Sequence, residues 1–320
     1  MNITDIPSSA KFAIIHNTVK RDDNELNISW MCKIAGVSRS GYYSWIASEE
    51  NRASREKQDR QDFLRILEAY QFRGYDKGAR GIYMRLLHLE PPAVMNIKKI
   101  RRLMKKYGLR CHVRKANPYR RAAKAIEVSS VAPNLLHREF KTRGPRAVVL
   151  ADITYLFYGD GKRCYLSTML DACTMQILAW KLSRSFDVDF VLETAEDMLR
   201  THRFSLKAET LIHSDQGAHY KSIKFQQLLK DHHLRQSMSR KANCWDNAPQ
   251  ESFYGHMKDE INLKDCKTFD DIREVIDDYM DYYNIERYQW ELAKLSPNEY
   301  YEYLKTGKYP LYIPKPKGKT

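Results

Sequence analysis

Apolar residues recur along this chain with two different periods, and the change falls near residue 145. Before it the spacing is helical. "ISWMCKIAGVSRSGYYSWI" predicts a short helix over Ile28 to Ala35, ended by Gly36, and a second one capped by Ser38 and running to Ile46. Two short helices about a Gly-containing turn suit a helix-turn-helix. The charged "EENRASREKQDR" that follows reads as a linker or a helix start. Phe63, Ile66, Leu67 and Tyr70 then stand at i, i+3, i+4 and i+7, one face of a helix. "GYDKGARG" interrupts it, and Ile82 to Leu89 forms another short helix. Asn96 can cap a third, with Ile97, Ile100, Met104 and Tyr107 inward and Gly108 closing it.

After residue 145 the runs become β-branched and apolar with turn residues between them. "RAVVLADITYLFYG", "RCYLSTMLDAC" and "MQILAWKLS" read as three consecutive buried strands, with Asp171 as a hairpin residue. Val188 to Leu199 repeats at helical spacing. "TLIHSD" is a fourth strand, a helix surrounds Phe225 to Leu229, and Leu234 to Met238 is a short fifth strand. Asp246 or Asn247 can start a helix that Pro249 tolerates in its first turn. A last long helix from Thr268 buries Phe269, Ile272, Ile276, Tyr279 and Tyr283. Strands followed by alternating helix and strand predict a mixed α/β sandwich. The expected organisation is a helical segment over 1–50, a basic helix-turn-helix-like domain over 51–116 and a basic linker over 117–144. An α/β domain over 145–305 and a basic tail over 306–320 complete it.

Charge changes the picture more than composition does. The 320 residues carry a net charge of +14, which points to a polyanionic partner. Its distribution sharpens this: from Lys98 to Lys124 there are twelve Lys or Arg and no Asp or Glu. The third helix of the basic domain would present Lys98, Lys99, Arg101, Arg102, Lys105 and Lys106 on its outer face, which suits DNA phosphates. The six cysteines are scattered with no C-x-x-C pair, as expected of reduced cytoplasmic thiols. No run approaches the ~20 apolar residues of a membrane span, and "MNITDIPSSA" lacks the basic and apolar regions of a secretory signal.

The candidate chemistry lies in the second half. Asp152 sits inside the first strand, on the face of Leu150 and Thr154, where a carboxylate is costly unless it is hydrogen-bonded or ligates a cation. Asp215 ends the fourth strand, and Glu251 lies on the helix that follows Asn247. Three convergent carboxylates repel one another. Divalent cations with a preference for oxygen ligands, Mg2+ above all, relieve that repulsion. Taken singly, an aspartate at a strand end is more often a cap or turn residue.

Spacing and neighbours distinguish these three. "ADITYL", "HSDQGAHY" and "SRKANCWDNAPQESFYGHMKDE" together resemble the catalytic core of the DDE transposases of bacterial insertion sequences. Within that group the chain is most similar to the OrfB type of the insertion-sequence-three family, relatives of retroviral integrases. Thirty-five residues lie between Asp215 and Glu251, the DD(35)E spacing. "YYNIERYQWELAKLSPNEY" resembles the family's closing stretch and "VSRSGYYSW" its N-terminal signature. The chain departs from the family pattern at Ala242, where Gly is usual, at Tyr254, where Phe is usual, and in "DACTM" after Asp171.

The resemblance implies a ribonuclease-H-like catalytic core, a mixed five-stranded sheet with helices, preceded by all-α helix-turn-helix DNA-binding units. It implies Asp152, Asp215 and Glu251 as catalytic metal ligands for two Mg2+ ions, with Mn2+ able to substitute. Lys258 would contact DNA near the scissile phosphate, and the i, i+7 spacing independently sets it on the Glu251 face. Arg240, Lys241 and Asn243 would touch DNA from the loop before that helix. His213 and His219 flank the second aspartate and are expected to pack or face DNA rather than act as bases.

The implied activity is cleavage at insertion-sequence ends and transfer of the freed 3′-OH to another phosphodiester. The implied partners are double-stranded DNA (terminal inverted repeats and target), further copies of this chain in a synaptic complex, and an OrfA product, separate or fused. Cytoplasmic, nucleoid-associated location follows. Two alternatives stay open from sequence. A ribonuclease-H-like nuclease would use the same carboxylates without strand transfer, and a non-enzymatic helix-turn-helix regulator would use the basic helices alone.

Overall fold

A computed structural model describes residues 6–74, 77–111, 143–239 and 247–311. Much of the expected linker and basic tail, and all of Arg240, Lys241 and Asn243, lie outside the described residues. The chain divides into two compact units, Met1–Arg65 and Ile66–Thr320.

The first unit is helical: α1 (Ser8–Val19), α2 (Ile28–Ala35), α3 (Arg39–Ala47) and most of α4 (Glu49–Gln71). Asn27 and Ser38 cap α2 and α3 with their side chains, and Gly36 ends α2 at φ 64°, the left-handed turn that glycine adopts without a Cβ clash. Ile15, Met31, Cys32 and Tyr42 form the small core of this unit. The stretch read as linker or helix start is helix: α4 is continuous for 23 residues, so the expected junction at residue 50 falls in its first turn.

In the second unit, α5 (Ala79–Leu87) packs against α6 (Ile97–Lys106). Asn96 caps α6 as expected. The buried stripe of α6 is Ile100, Leu103 and Met104, with Ile97 and Tyr107 only half-buried at its ends. The middle turns of the helix are buried, and its ends are partly open to solvent.

The rest is a five-stranded sheet in the order β3-β2-β1-β4-β5. β1 (Val148–Tyr158), β2 (Lys162–Asp171) and β3 (Ile177–Ser183) form an antiparallel meander. α7 (Asp189–His202) returns the chain to β4 (Leu211–Ser214), which runs parallel to β1. Short α8 (Ala218–Lys221) and α9 (Ile223–Asp231) lead to β5 (Arg235–Met238), parallel to β4. α10 (Ala248–Glu260), α11 (Phe269–Ile285) and α12 (Pro297–Thr306) follow.

The two-residue period of β1 sorts its side chains between two cores. Val149 and Ala151 join Val191, Ala195 and Met198 of α7. Leu150 and Leu156 join Phe253 and Met257 of α10 and Ile272, Ile276 and Tyr279 of α11. The sheet is thus covered on both faces, the α/β architecture read from the sequence.

Asp171 does more than turn a hairpin. It is fully buried, its Oδ2 accepts from the Arg146 guanidinium at 2.8 Å and the Arg146 backbone N–H at 3.0 Å, and its Oδ1 accepts from the Cys173 N–H at 2.9 Å. Arg146 also donates to Gln176 at 2.6 Å and lies 4.3 Å over the Tyr301 ring. This ion pair ties the start of β1, the β2–β3 turn and α12 into one corner. α12 itself was not foreseen as a helix, although "SPNE" spells its capping box, Ser296 with Glu299.

Candidate active site

Register brings two of the three carboxylates together. Leu150 pairs with His213 and Ala151 with Ser214, so Asp152 and Asp215 come next, side by side where β4 ends. The carboxyl ends of parallel strands are where open α/β sheets present their ligand sites. Each carboxylate is oriented by a nearby backbone donor. Asp152 Oδ1 accepts from the Ile153 N–H at 2.8 Å, and Asp215 Oδ1 accepts from the Gly217 N–H at 2.9 Å. A Cβ on Gly217 would stand 2.9 Å from that same Oδ1. The φ of Gly217 is −57°, open to any residue, so what glycine supplies here is room for the carboxylate. Asp152 and Asp215 line one cleft of about 330 Å³.

α10 lies over β1 and fixes its position through a buried chain of polar groups. Gln250 donates to Thr168 Oγ1, Thr168 and Tyr254 hydroxyls meet at 2.7 Å, and Tyr254 donates to the Asp152 carbonyl at 2.8 Å. One proton order is consistent along the chain, amide to Thr168, Thr168 to Tyr254 and Tyr254 to the backbone, while Gln250 Oε1 is buried with no hydrogen-bond partner among the described residues. Burial, then the nearby Asp152 charge, pushes the Tyr254 phenol well above its usual range, which keeps it a donor. One turn on, Lys258 Nζ donates to Thr154 Oγ1 at 2.6 Å and stands 5.3 Å over the Tyr155 ring. Desolvation lowers the Lys258 pKa, and Asp152 partly offsets this.

Glu251 is exposed in the first turn of α10. It shares a stripe with Tyr254 and Lys258, which reach Asp152 and Thr154 on β1. Its side chain is not part of the cleft lining. Among the described residues no three His, Cys, Asp or Glu side chains stand close enough to hold one metal ion. Two adjacent carboxylates of hard oxygen atoms, with a third on the helix above, are nevertheless a donor set that fits Mg2+ in kind.

Asn247 occupies the N-cap of α10 but makes no capping bond. Its buried Oδ1 has no hydrogen-bond partner among the described residues. His213 is enclosed in β4 and meets Ser237 Oγ at 3.0 Å. His219 is buried edge-on against Phe186 at 4.1 Å. His213 is packed within the sheet, and His219, packed on Phe186, also lines the cleft with Asp152 and Asp215. Lys98, Arg101, Arg102, Lys105 and Lys106 are exposed on α6 and Lys99 is half-buried, so the basic face exists as read.

The matches to known proteins agree with this architecture. The family model described as an integrase core domain matches residues 142–244, a second integrase-core model matches 251–303, and an HTH-like domain matches 57–117. The putative transposase InsK of insertion sequence element IS150 from Escherichia coli is 33% identical over 74% of this chain and 81% of its own length. The transposase InsF of insertion sequence IS3A from the same organism is 30% identical over 88% of this chain and 96% of its own. This chain belongs to the IS3 family of transposases. A similar solved structure is the HTLV-2 integrase catalytic core domain in complex with magnesium, at 16% identity over 49% of this chain and 97% of that one, with a TM-score of 0.39.

An IS3-family reading of the sequence alone assigns no role to Thr154, Thr168 and Gln250, through which α10 meets β1 and β2. Their signal was weak: threonines and a glutamine in strand and helix interiors. Tyr254 was noted only as a departure from Phe. Its added hydroxyl is the one that bonds the Asp152 carbonyl.

Proposed function

We propose that this transposase cleaves and joins DNA at a site made by Asp152, Asp215 and Glu251, which together hold two Mg2+ ions that Mn2+ can replace. The observation that supports this reading is the parallel register of β1 with β4, whose last partners Ala151 and Ser214 directly precede Asp152 and Asp215, beneath the helix that bears Glu251. Bound there, the ions supply charge neutralisation at the scissile phosphate and activation of the attacking oxygen. The chain's own groups do the positioning. The Ile153 and Gly217 amides orient the carboxylates, the Tyr254 network holds α10 against β1, and Lys258 extends toward a phosphate.

Hydrolysis at an element end leaves a 3′-OH, and the same site, holding that hydroxyl, directs it at a second phosphodiester. The exposed basic face of α6 and the residues Arg240, Lys241 and Asn243 would contact terminal inverted repeats or target DNA. Assembly with further copies in a synaptic complex, use of an OrfA partner or fusion, the five-part domain division and a nucleoid location belong to this same reading. No described helix is long and apolar enough to cross a membrane.

The test uses labelled DNA from either side of the gene, incubated with wild-type protein or Glu251→Gln, with Mg2+, with Mn2+ and without metal. Nicked and joined strands that vanish in the variant and without metal are expected. Nicks without joints would turn the reading to a nuclease, and metal-independent binding without nicks, unchanged by added OrfA product, to a regulator.

A further inference from the structure

The outer ends of β1 and β2 carry an apolar surface that folding does not use. Tyr155 and Phe157 lie on one face of β1, 58% and 54% exposed, with ring centroids 5.7 Å apart. Tyr165 pairs across the strands with Tyr155. Its ring is 4.7 Å from that of Phe186, which is 55% exposed. Two cations flank the rings: Arg163 lies 5.7 Å from the Tyr165 ring and Lys258 5.3 Å from that of Tyr155. Contiguous exposed apolar surface on a folded protein generally marks a binding site.

Position and charge identify the occupant. Tyr155, Tyr165, Phe186 and Arg163 line the same cleft as Asp152 and Asp215, so whatever rests on the rings lies beside the reacting phosphate. Flat aromatic faces interleaved with Lys and Arg are how proteins hold unstacked bases and their phosphates. A second copy of this chain is a poorer occupant, since it would bring a net +14 partner against Arg163 and Lys258.

We infer that this aromatic shelf receives a nucleobase unstacked from the duplex next to the scissile phosphate, with Phe186 and Tyr155 as base-stacking residues and Arg163 meeting the backbone. The inference rests on the transposase reading of the carboxylate site. A shelf that captures a base freed beside the scissile phosphate offsets the cost of unstacking it. Stacking contributes about 1–3 kcal/mol per base, so loss of one ring predicts a drop of roughly 5- to 150-fold at about 1.4 kcal/mol per decade.

The experiment compares wild-type protein with Phe186→Ala, Tyr155→Ala and Arg163→Gln, all at exposed positions. Substrates are the gene's flanking DNA ends, either fully paired or carrying two mismatched pairs at the cleavage position, with 2-aminopurine placed beside the scissile phosphate. Wild-type protein should alter the 2-aminopurine emission in Ca2+, before any cleavage, and Phe186→Ala should not. In Mg2+, Phe186→Ala and Tyr155→Ala should cut paired ends 5- to 150-fold more slowly and recover most of the rate on mismatched ends. Arg163→Gln should reduce the slope of log affinity against log salt by about one. Equal losses on both substrates, no loss on either, or a change of oligomeric state with 2-aminopurine emission intact would each overturn the shelf. Should wild-type protein cut neither substrate even with added OrfA product, the transposase reading fails, while the emission change still decides whether a base is held.

Discussion

Two aspartates on one strand pair have opposite fates. Asp171 faces Val149 across the β1–β2 ladder, and Asp152 lies three residues further along β1. At Asp171 the charge is sealed from water and neutralised by Arg146 at 2.8 Å, with backbone amides occupying the remaining oxygen sites. At Asp152 the carboxylate opens on a cleft beside a second carboxylate, Asp215. A chain that gathers like charges at a strand end and pairs a neighbouring one so fully has separated a structural corner from a site. The first charge is compensated within the fold, whereas the second faces a cleft, as the proposed cation site requires.

The largest effect should come from the open pair. Asp215→Asn is expected to slow strand cleavage by about a thousandfold or more, since each ~1.4 kcal/mol of lost transition-state stabilisation is a factor of ten. Its urea midpoint should stay the same or rise, because a like-charge contact is relieved. A fall in midpoint as large as the loss of rate would erase the contrast. Asp171→Asn should do the reverse, destabilising by roughly 3–5 kcal/mol because Arg146 is left buried without its counter-ion. Its activity per folded molecule, read below the unfolding transition, should be near wild type.

Gly217→Ala sharpens the comparison at the site itself. The added Cβ falls 2.9 Å from Asp215 Oδ1, so the carboxylate must move while the backbone need not. About a hundredfold loss of cleavage is expected from a displacement of this order, with a thermal midpoint close to wild type. Tyr254→Phe removes the donor to the Asp152 carbonyl and should cost about 1 kcal/mol in chemical denaturation. Rates should fall only a few-fold, because the ring still packs with Phe253 at 5.4 Å.

The smallest effect concerns pH and lies away from the site. Burial by itself raises the Glu299 carboxyl. Hydrogen bonds from His88 at 3.2 Å and from the Ser296 amide at 2.9 Å outweigh it and hold the pKa below the usual glutamate range. A depressed acid stabilises the fold above its unfolded pKa of about 4.3 and loses that contribution as pH falls through the lower folded value. Glu299→Gln should therefore flatten the acid limb of the stability profile, and an unchanged limb would show that other carboxylates set it.

Much of this was legible in the chain. Caps at Ser38 and Asn96 and the stop at Gly36 are local devices, and local sequence suffices for them, whereas the equally local cap at Asn27 was passed over. The first three strands could be read because burial on both faces of a sheet demands long apolar runs, and the short β4 and β5 because turn and helix signals bracket them. The three acidic residues stood out through spacing and neighbours. Other features were beyond such reading. "SPNE" lies next to a family motif, and its helix was passed over. Asp171 looked like a hairpin residue because its partner, Arg146, is 25 positions earlier and sits at a strand start.

The sequence by itself determined the order and kind of most elements between Ile28 and Ile285, the basic face of α6 and the set of acidic candidates, since propensity, period and charge are properties of short segments. Only the tertiary structure decided which aspartate is neutralised and which is exposed to a cleft. The parallel register of β1 with β4 sets Asp152 beside Asp215, the Gln250–Thr168–Tyr254 chain seats α10, and the β1–β2 pairing gathers Tyr155 and Tyr165 into one shelf with Phe186. Each of these joins residues tens of positions apart, and their energies depend on distance and burial that no local pattern encodes.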